Sequence, residues 1–333
     1  MLSFIIRRLL RMIPQVFLIS LLAFIIIQLP PGDYLTEYLN RLRASGVSVD
    51  QYEVERFTRM YGLDRPMYNQ YVRWITNIVT KFDFGYSFEW QKPVNDVITA
   101  RIGMTFFIAF LSFLVCWAFA IPVGIYVAVK QYSITDYFFT FVGFIGLATP
   151  GFLLALVIMY VAFNSFGIKV GGLFSPEFET QAWSWAKFVN LLSHLWLPVL
   201  ILAIGWTANL VRTMRATMLD ELRKQYVTVA RAKGLSEFAV LMRYPARIAI
   251  NPILSQTFYV LPWLFSGGMV VEIVLNLNTA CPVLWRALMR QDMYTAGAYI
   301  VIIGTLTALG SLMSDILLAV VDPRIRFGGL ESA

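Results

Sequence analysis

The chain has 333 residues, 58% of them hydrophobic and 14% charged, with 27 Lys and Arg against 20 Asp and Glu. A soluble domain runs at about 45–50% apolar and about 25% charged, so the composition excludes an ordinary water-soluble fold and indicates a polytopic membrane protein. The net charge of +7 sits on loops between greasy stretches, which argues against a nucleic-acid module, and two Cys with one His exclude a disulfide framework or a histidine-built metal site.

In chain order, Arg7, Arg8 and Arg11 precede an apolar run over residues 12–29, long enough to span a bilayer. No small-residue cleavage site follows; Pro30, Pro31, Gly32 and Asp33 do. This reads as an uncleaved first span with its N-terminus inside, within a segment 1–31. Residues 32–101 are polar and form a large outer loop. A short helix is expected over 50–60. An amphipathic one is expected over 67–80, with Tyr71, Trp74, Ile75 and Ile78 on one side.

The permease core is expected over 102–333. A second span covers 102–129 and ends at Lys130. The third covers 135–163 and carries Thr149, Pro150 and Gly151 in its middle, where Pro kinks a helix and serves either packing or a pathway hinge. Residues 167–193 form a second outer loop, with Trp183, Trp185 and Trp196 suited to the membrane interface. The fourth span covers 195–210. The fifth covers 252–275 and contains Pro262, Gly267 and Gly268, small or kinking residues that allow close helix approach. The sixth covers 294–321.

The loop over 212–251 holds eight basic residues. The pieces assigned to the inside carry 14 basic and seven acidic residues, and those outside carry 13 of each. That asymmetry fits six spans with both termini inside. Glu272 and Asp315 fall near span ends and read as structural.

At the centre of the basic loop stands the run Thr228, Val229, Ala230, Arg231, Ala232, Lys233, Gly234, Leu235, Ser236. Gly234 suits a helix end in the left-handed region, Ser236 suits an N-cap and Glu237 suits the first turn of the next helix. Two short helices with an elbow at Gly234 are expected. Charge alone would make this a basic loop obeying the positive-inside rule; the pattern is more specific.

The run resembles the EAA coupling loop of binding-protein-dependent ABC importer permeases, in the version that reads TARAKGL. Other stretches resemble the B-type permease subunit of the oligopeptide/dipeptide branch of that family. They are the opening Arg7 to Leu10 with Ile13-Pro14 and Pro31-Gly32-Asp33, the outer-loop stretches YGLDRP and DFGYS, and a tail DPRIR with Asp315 seven residues before it. The stretch SGGMVVEIVLNLN is similar to the family's end of the fifth span, but Asn276 to Thr279 lack its Gly and Pro.

The resemblance implies an all-α, type I (MetI-like) permease fold and a bacterial inner-membrane location. The implied partners are a second related permease, two ABC ATPase subunits and an extracytoplasmic substrate-binding protein, in contact with lipid. Residues 228–236 would couple to the ATPases. Thr149, Pro150, Gly151, Pro262, Gly267 and Gly268 become pathway or hinge candidates. Tyr61, Asp64, Pro66, Tyr71, Trp74, Asp83 and Gly85 become candidates for docking the binding protein. No GK dipeptide occurs, so no P-loop is present; the chain is expected to need no cofactor of its own, ATP and Mg being held by the partner ATPases. Peptide and oligosaccharide remain open as substrates. A secondary transporter would keep midplane charges and inverted repeats, an intramembrane enzyme a nucleophile–base pair. Neither signature is found, and neither class explains the elbow.

Overall fold

A computed structural model describes residues 2–28, 65–87, 89–168, 170–256 and 268–321. Those residues are almost entirely helical, apart from a two-stranded antiparallel bridge between β1 (Tyr86–Ser87) and β2 (Lys92–Pro93). The expected helix over 50–60 lies outside the described residues. The chain divides into two compact units, one made of residues 6–105 and 279–309, the other of 1–5, 106–278 and 310–333.

In the first unit, α1 (Leu2–Gln28) is a 27-residue apolar helix that continues through Pro14. The amphipathic helix α2 (Met67–Lys81) forms where the apolar spacing requires it. It buries Tyr71 and Trp74 against Phe24 and Val301, with Ile75 and Ile78 beside them. Ring centroids of Phe24 lie 5.4 Å from Tyr71 and 5.8 Å from Trp74. The Tyr71 hydroxyl is satisfied at 2.8 Å by Ser20, itself buried in α1. Gly304 in α14 (Met293–Val321) faces Ile19 so closely that an added Cβ would stand 2.5 Å from the Ile19 Cγ2. Ahead of α14, the helix α13 (Ala280–Met289) replaces what reads in the sequence as plain loop. Its Cys281 is buried, and both Cys116 and Cys281 are free thiols.

Helix α3 (Val94–Val129), whose residues from 106 on belong to the second unit, is 36 residues long and starts eight residues before the expected second span. The expected third span is two helices, α4 (Ile134–Ala148) and α5 (Gly151–Phe166), bent by 100°. The break expected at Thr149–Pro150 is there, as a sharp turn between two helices. Proline disfavours helical geometry in the residue before it; Thr149 is extended (φ −90°, ψ 120°) and Pro150 follows at ψ 130°, so the chain turns instead of bending. Pro14, Pro122 and Pro198 sit inside helices that continue.

The expected fourth span is also longer. Helix α7 (Trp185–Leu222) has 38 residues and absorbs the interface tryptophan Trp196 as well as Arg212 and Arg215. At its N-terminal start, the buried Lys187 donates to the carbonyls of Gln181 at 2.6 Å and Glu179 at 3.3 Å, with the Phe174 ring 4.8 Å away. A short helix, α6 (Pro176–Glu179), lies in that loop. The expected fifth span is described only at its ends, by α11 (Asn251–Gln256) and α12 (Met269–Val274). After α12, Asn276 takes φ +52°, a conformation Asn tolerates better than most residues. This turn occupies the place of the absent Gly and Pro.

Among the described residues, four helices are long and apolar enough to cross a membrane, or five if the bent pair is one span.

Candidate functional site

The charged end of α7 leads into the elbow. Helix α8 (Gln225–Ala232) carries two Val and two Ala among its eight residues and stops at Lys233, whose N–H donates to the Val229 carbonyl at 3.1 Å. Gly234 follows at φ +77°. A Cβ there would meet nothing within 4 Å, so the requirement for glycine is one of backbone angle and not of space. Ser236 then caps α9 (Glu237–Arg243), its hydroxyl accepting from the Ala239 N–H at 3.4 Å.

The inner side of the elbow is a small apolar knot. Val227 and Val240 are fully buried and Ala230 nearly so, with Tyr226 and Leu235 packed on them. Across the turn, Arg231 grips Glu237 at two points, 2.6 and 3.1 Å. Both side chains are about half exposed, at 47% and 54%, so the pair orients the turn more than it stabilises it. The Arg231 hydrogen bond holds the Glu237 carboxyl below the usual carboxylate range, and Glu237 raises Arg231 in return. Tyr226 donates its hydroxyl to Glu221, and burial followed by that contact pushes the phenol up.

Three large apolar side chains of the elbow are uncovered. Phe238 is 75% exposed, Val229 52% and Met242 47%. Thr228, Arg231, Ala232, Lys233 and Ser236 are exposed as well. A globular surface rarely leaves a phenylalanine this open beside other apolar groups without an interaction to serve.

The elbow is fixed to α7 from below. Helix α10 (Pro245–Ala249) lays Ala246 and Ala249 against Met214 and Met218. Thr217 Oγ1 donates to the Ala249 carbonyl at 2.9 Å. Gly124 in α3 lets that helix approach α7 closely; a Cβ would lie 2.5 Å from the Met214 Cβ. Arg215 on the same turn of α7 pairs with Asp136 at the start of α4 at 2.7 Å. Helices α10, α3 and α4 thus all pack against this end of α7, beside the elbow.

Four of the six pathway candidates lie in the described residues, at helix ends. Thr149 and Pro150 form the 100° break. Gly151 starts α5 where a Cβ would come 3.2 Å from Val271 Cγ2 in α12. Gly268 caps α12. Pro262 and Gly267 lie outside the described residues.

Of the docking candidates, Tyr61 and Asp64 lie outside the described residues. Pro66 caps α2. Tyr71 and Trp74 point inward at 7% and 4% exposure; the burial that makes α2 amphipathic takes them off any outer surface. Asp83 accepts the Gly85 N–H at 2.9 Å, and Gly85 at φ +103° lies against the Tyr294 ring. The neighbouring Ser87 donates to Asp292, a fully buried carboxylate that burial raises above its ordinary range while Ser87, Thr295 and the Glu89 N–H lower it. The Arg215–Asp136 pair and the uncovered Phe238 were not singled out from sequence. The first joins residues far apart in the chain. The second sits at a helix position that reads equally well as buried.

Comparison with known proteins gives the same class. Residues 120–327 match the family described as binding-protein-dependent transport system inner membrane component, and residues 1–109 match its N-terminal membrane component. The chain belongs to that family. It is 34% identical over 329 residues to the oligopeptide transport system permease protein AppB of Bacillus subtilis (strain 168), covering 98% of this chain and 100% of the relative. It is 30% identical over 327 residues to the glutathione transport system permease protein GsiC of Escherichia coli (strain K12), with 98% and 100% covered. It is 28% identical over 328 residues to the oligopeptide transport system permease protein OppB of Haemophilus influenzae, with the same coverage. The chain is thus an ABC importer permease, a multi-pass inner-membrane component without an ATPase site of its own.

Proposed function

We propose that this permease forms half of a translocation pathway for peptides and that residues 228–236 couple it to cytoplasmic ATPases. The observation that carries the reading is the elbow. Gly234 holds two short helices at a fixed angle, three large apolar side chains of the elbow are uncovered, and its footing on α7 leads straight into a long apolar helix. A groove on an ATPase that takes Phe238 and Val229 would pass its closure to α7. ATP-driven closure would then favour one of two arrangements of the spans, and hydrolysis would restore the other.

The remaining organisation follows from the same reading. Both termini are cytoplasmic, residues 1–31 hold the first span, residues 32–101 face the outside, residues 102–333 form the core, and 212–251 face the ATPases. The assembly contains a second, related permease, two ATPase subunits that hold ATP and Mg, and one extracytoplasmic binding protein. The break at Thr149–Pro150 and the close approach at Gly151 support a hinge role there, with Pro262, Gly267 and Gly268 as its counterparts before and at α12. The relatives named for oligopeptides and glutathione favour a peptide over an oligosaccharide.

Purified assembly in nanodiscs tests this, using the cognate binding protein loaded with a mixed tri- to hexapeptide pool or with maltooligosaccharide. Peptide-loaded binding protein should stimulate ATP hydrolysis, and the isolated chain should hydrolyse none. Stimulation by the oligosaccharide alone would overturn the substrate class, and hydrolysis by the isolated chain would overturn the division of labour.

A further inference from the structure

On α2 a second stripe runs beside the buried one. Asn69, Arg73 and Asn77 recur every fourth residue of α2, the spacing that stacks side chains along one helix face, and Arg65 stands in the bend just before the helix. All four line one cavity of about 330 Å³, walled on the other sides by Trp74 and Tyr294. Small-ligand sites begin at about this size, so the cavity accommodates a side chain or two and not a folded segment. The Trp74 indole N–H is spent on the Phe84 carbonyl at 3.1 Å, which leaves its ring as an apolar wall. Gly85 also borders the cavity, and its φ of +103° with a Cβ position 2.8 Å from the Tyr294 ring means that glycine alone lets this wall close.

The charge in the cavity is unbalanced. Two guanidiniums face one carboxylate, Asp83, whose Oδ1 already accepts the Gly85 N–H. Among the described residues, neither Arg65 nor Arg73 has an ion-pair partner. A guanidinium presents donors in a planar fork that matches a carboxylate. Two of them, flanked by Asn amides and aromatic walls, form a donor set suited to an anion.

We propose that this cavity receives an Asp or Glu side chain of the extracytoplasmic binding protein, which pairs with Arg65 and Arg73. The inference rests on the reading that residues 32–101 face that protein. It replaces Tyr71 and Trp74, which are buried, with the polar stripe beside them as the docking element.

The test uses the complete assembly in nanodiscs and the peptide-loaded binding protein, with affinity measured by biolayer interferometry. Arg73→Ala and Arg65→Ala should each weaken association about tenfold, the loss expected for one charge-assisted contact. Arg73→Lys should lose less. Lys81→Ala, which removes an exposed charge from the same helix outside the cavity, should change nothing. An Asp or Glu→Arg variant of the binding protein paired with Arg73→Glu should recover association lost in either alone. Thermal unfolding of each assembly, equal to that of the parent, separates lost docking from lost folding. If the binding protein associates normally with both alanine variants, the cavity proposal is overturned while the docking reading stands. Unchanged association with a raised KM for peptide uptake would overturn it in favour of a cargo carboxylate. No association with the parent assembly would overturn the docking reading and this inference with it.

Discussion

Arg215 and Asp136, 79 positions apart, meet in a two-point contact, with Nε and Nη2 each 2.7 Å from a carboxylate oxygen. Asp136 is buried and also accepts the Tyr132 N–H at 3.0 Å, so it closes the turn before α4 while holding α7. Removing one partner leaves a desolvated charge, which costs more than removing both. Asp136→Asn and Arg215→Met should each lower the unfolding temperature of the assembly. The double variant should lose less than the sum, by a coupling of about 1–3 kcal/mol. Strict additivity in a thermal double-mutant cycle would show that the contact does not tie the two helices.

At Gly234 the space is open and the angle is not. A β-branched residue at φ +77° costs about 1–2 kcal/mol, too little to unfold the protein and enough to re-aim α9. Gly234→Val should insert and accumulate normally yet hydrolyse ATP without matching uptake. Gly234→Asn should be milder, because Asn visits that region. Lys233→Ala should have a small effect. Uptake and ATPase rates measured together check this order, and equal behaviour of the Val and Asn variants would show that backbone angle is not what matters.

Much of this was legible in the sequence, for local reasons. The period of Tyr71, Trp74, Ile75 and Ile78 marked α2 because only a helix aligns them. Gly234, Ser236 and Glu237 marked the elbow because each is the cheapest residue for its backbone position. The size of the break at Pro150 was not legible: Pro14, Pro122 and Pro198 sit in helices that continue, so a proline alone does not say whether a helix stops, and the direction of the next helix depends on what it packs against, here Val271 beside Gly151. The extent of α7 was hidden for a related reason. Arg212 and Arg215 read as loop by charge, but Asp136 and the packing of Met214 and Met218 carry the helix through them.

The pH response follows from the Arg231–Glu237 clasp. Glu237 titrates below its ordinary value near 4.5. The folded value is below the unfolded one, so the clasp contributes fully above the ordinary range and is lost as pH falls through the lowered value. Amide hydrogen exchange in residues 231–239, corrected for intrinsic rates, should show unchanged protection between about pH 8 and 6 and looser protection near about pH 3. Loosening already between 8 and 6 would point to a different group.

Orientation is checked by labelling. A Cys placed at Glu177, exposed in the loop before α7, should react with a membrane-impermeant maleimide added to whole spheroplasts. One at Ser236, equally exposed, should react only after lysis. The two native Cys are buried and give a low background. Reaction at Ser236 from outside would reverse the assignment of the elbow.

The most direct test of the coupling claim is Phe238. Its side chain is 75% exposed and takes no part in the Val227–Ala230–Val240 knot, so Phe238→Glu leaves the fold of the permease intact. In a complete assembly carrying this variant, the account predicts normal permease levels in the membrane, loss of the ATPase subunits on purification and loss of uptake. Retention of both ATPases together with uptake at the parent rate would contradict it.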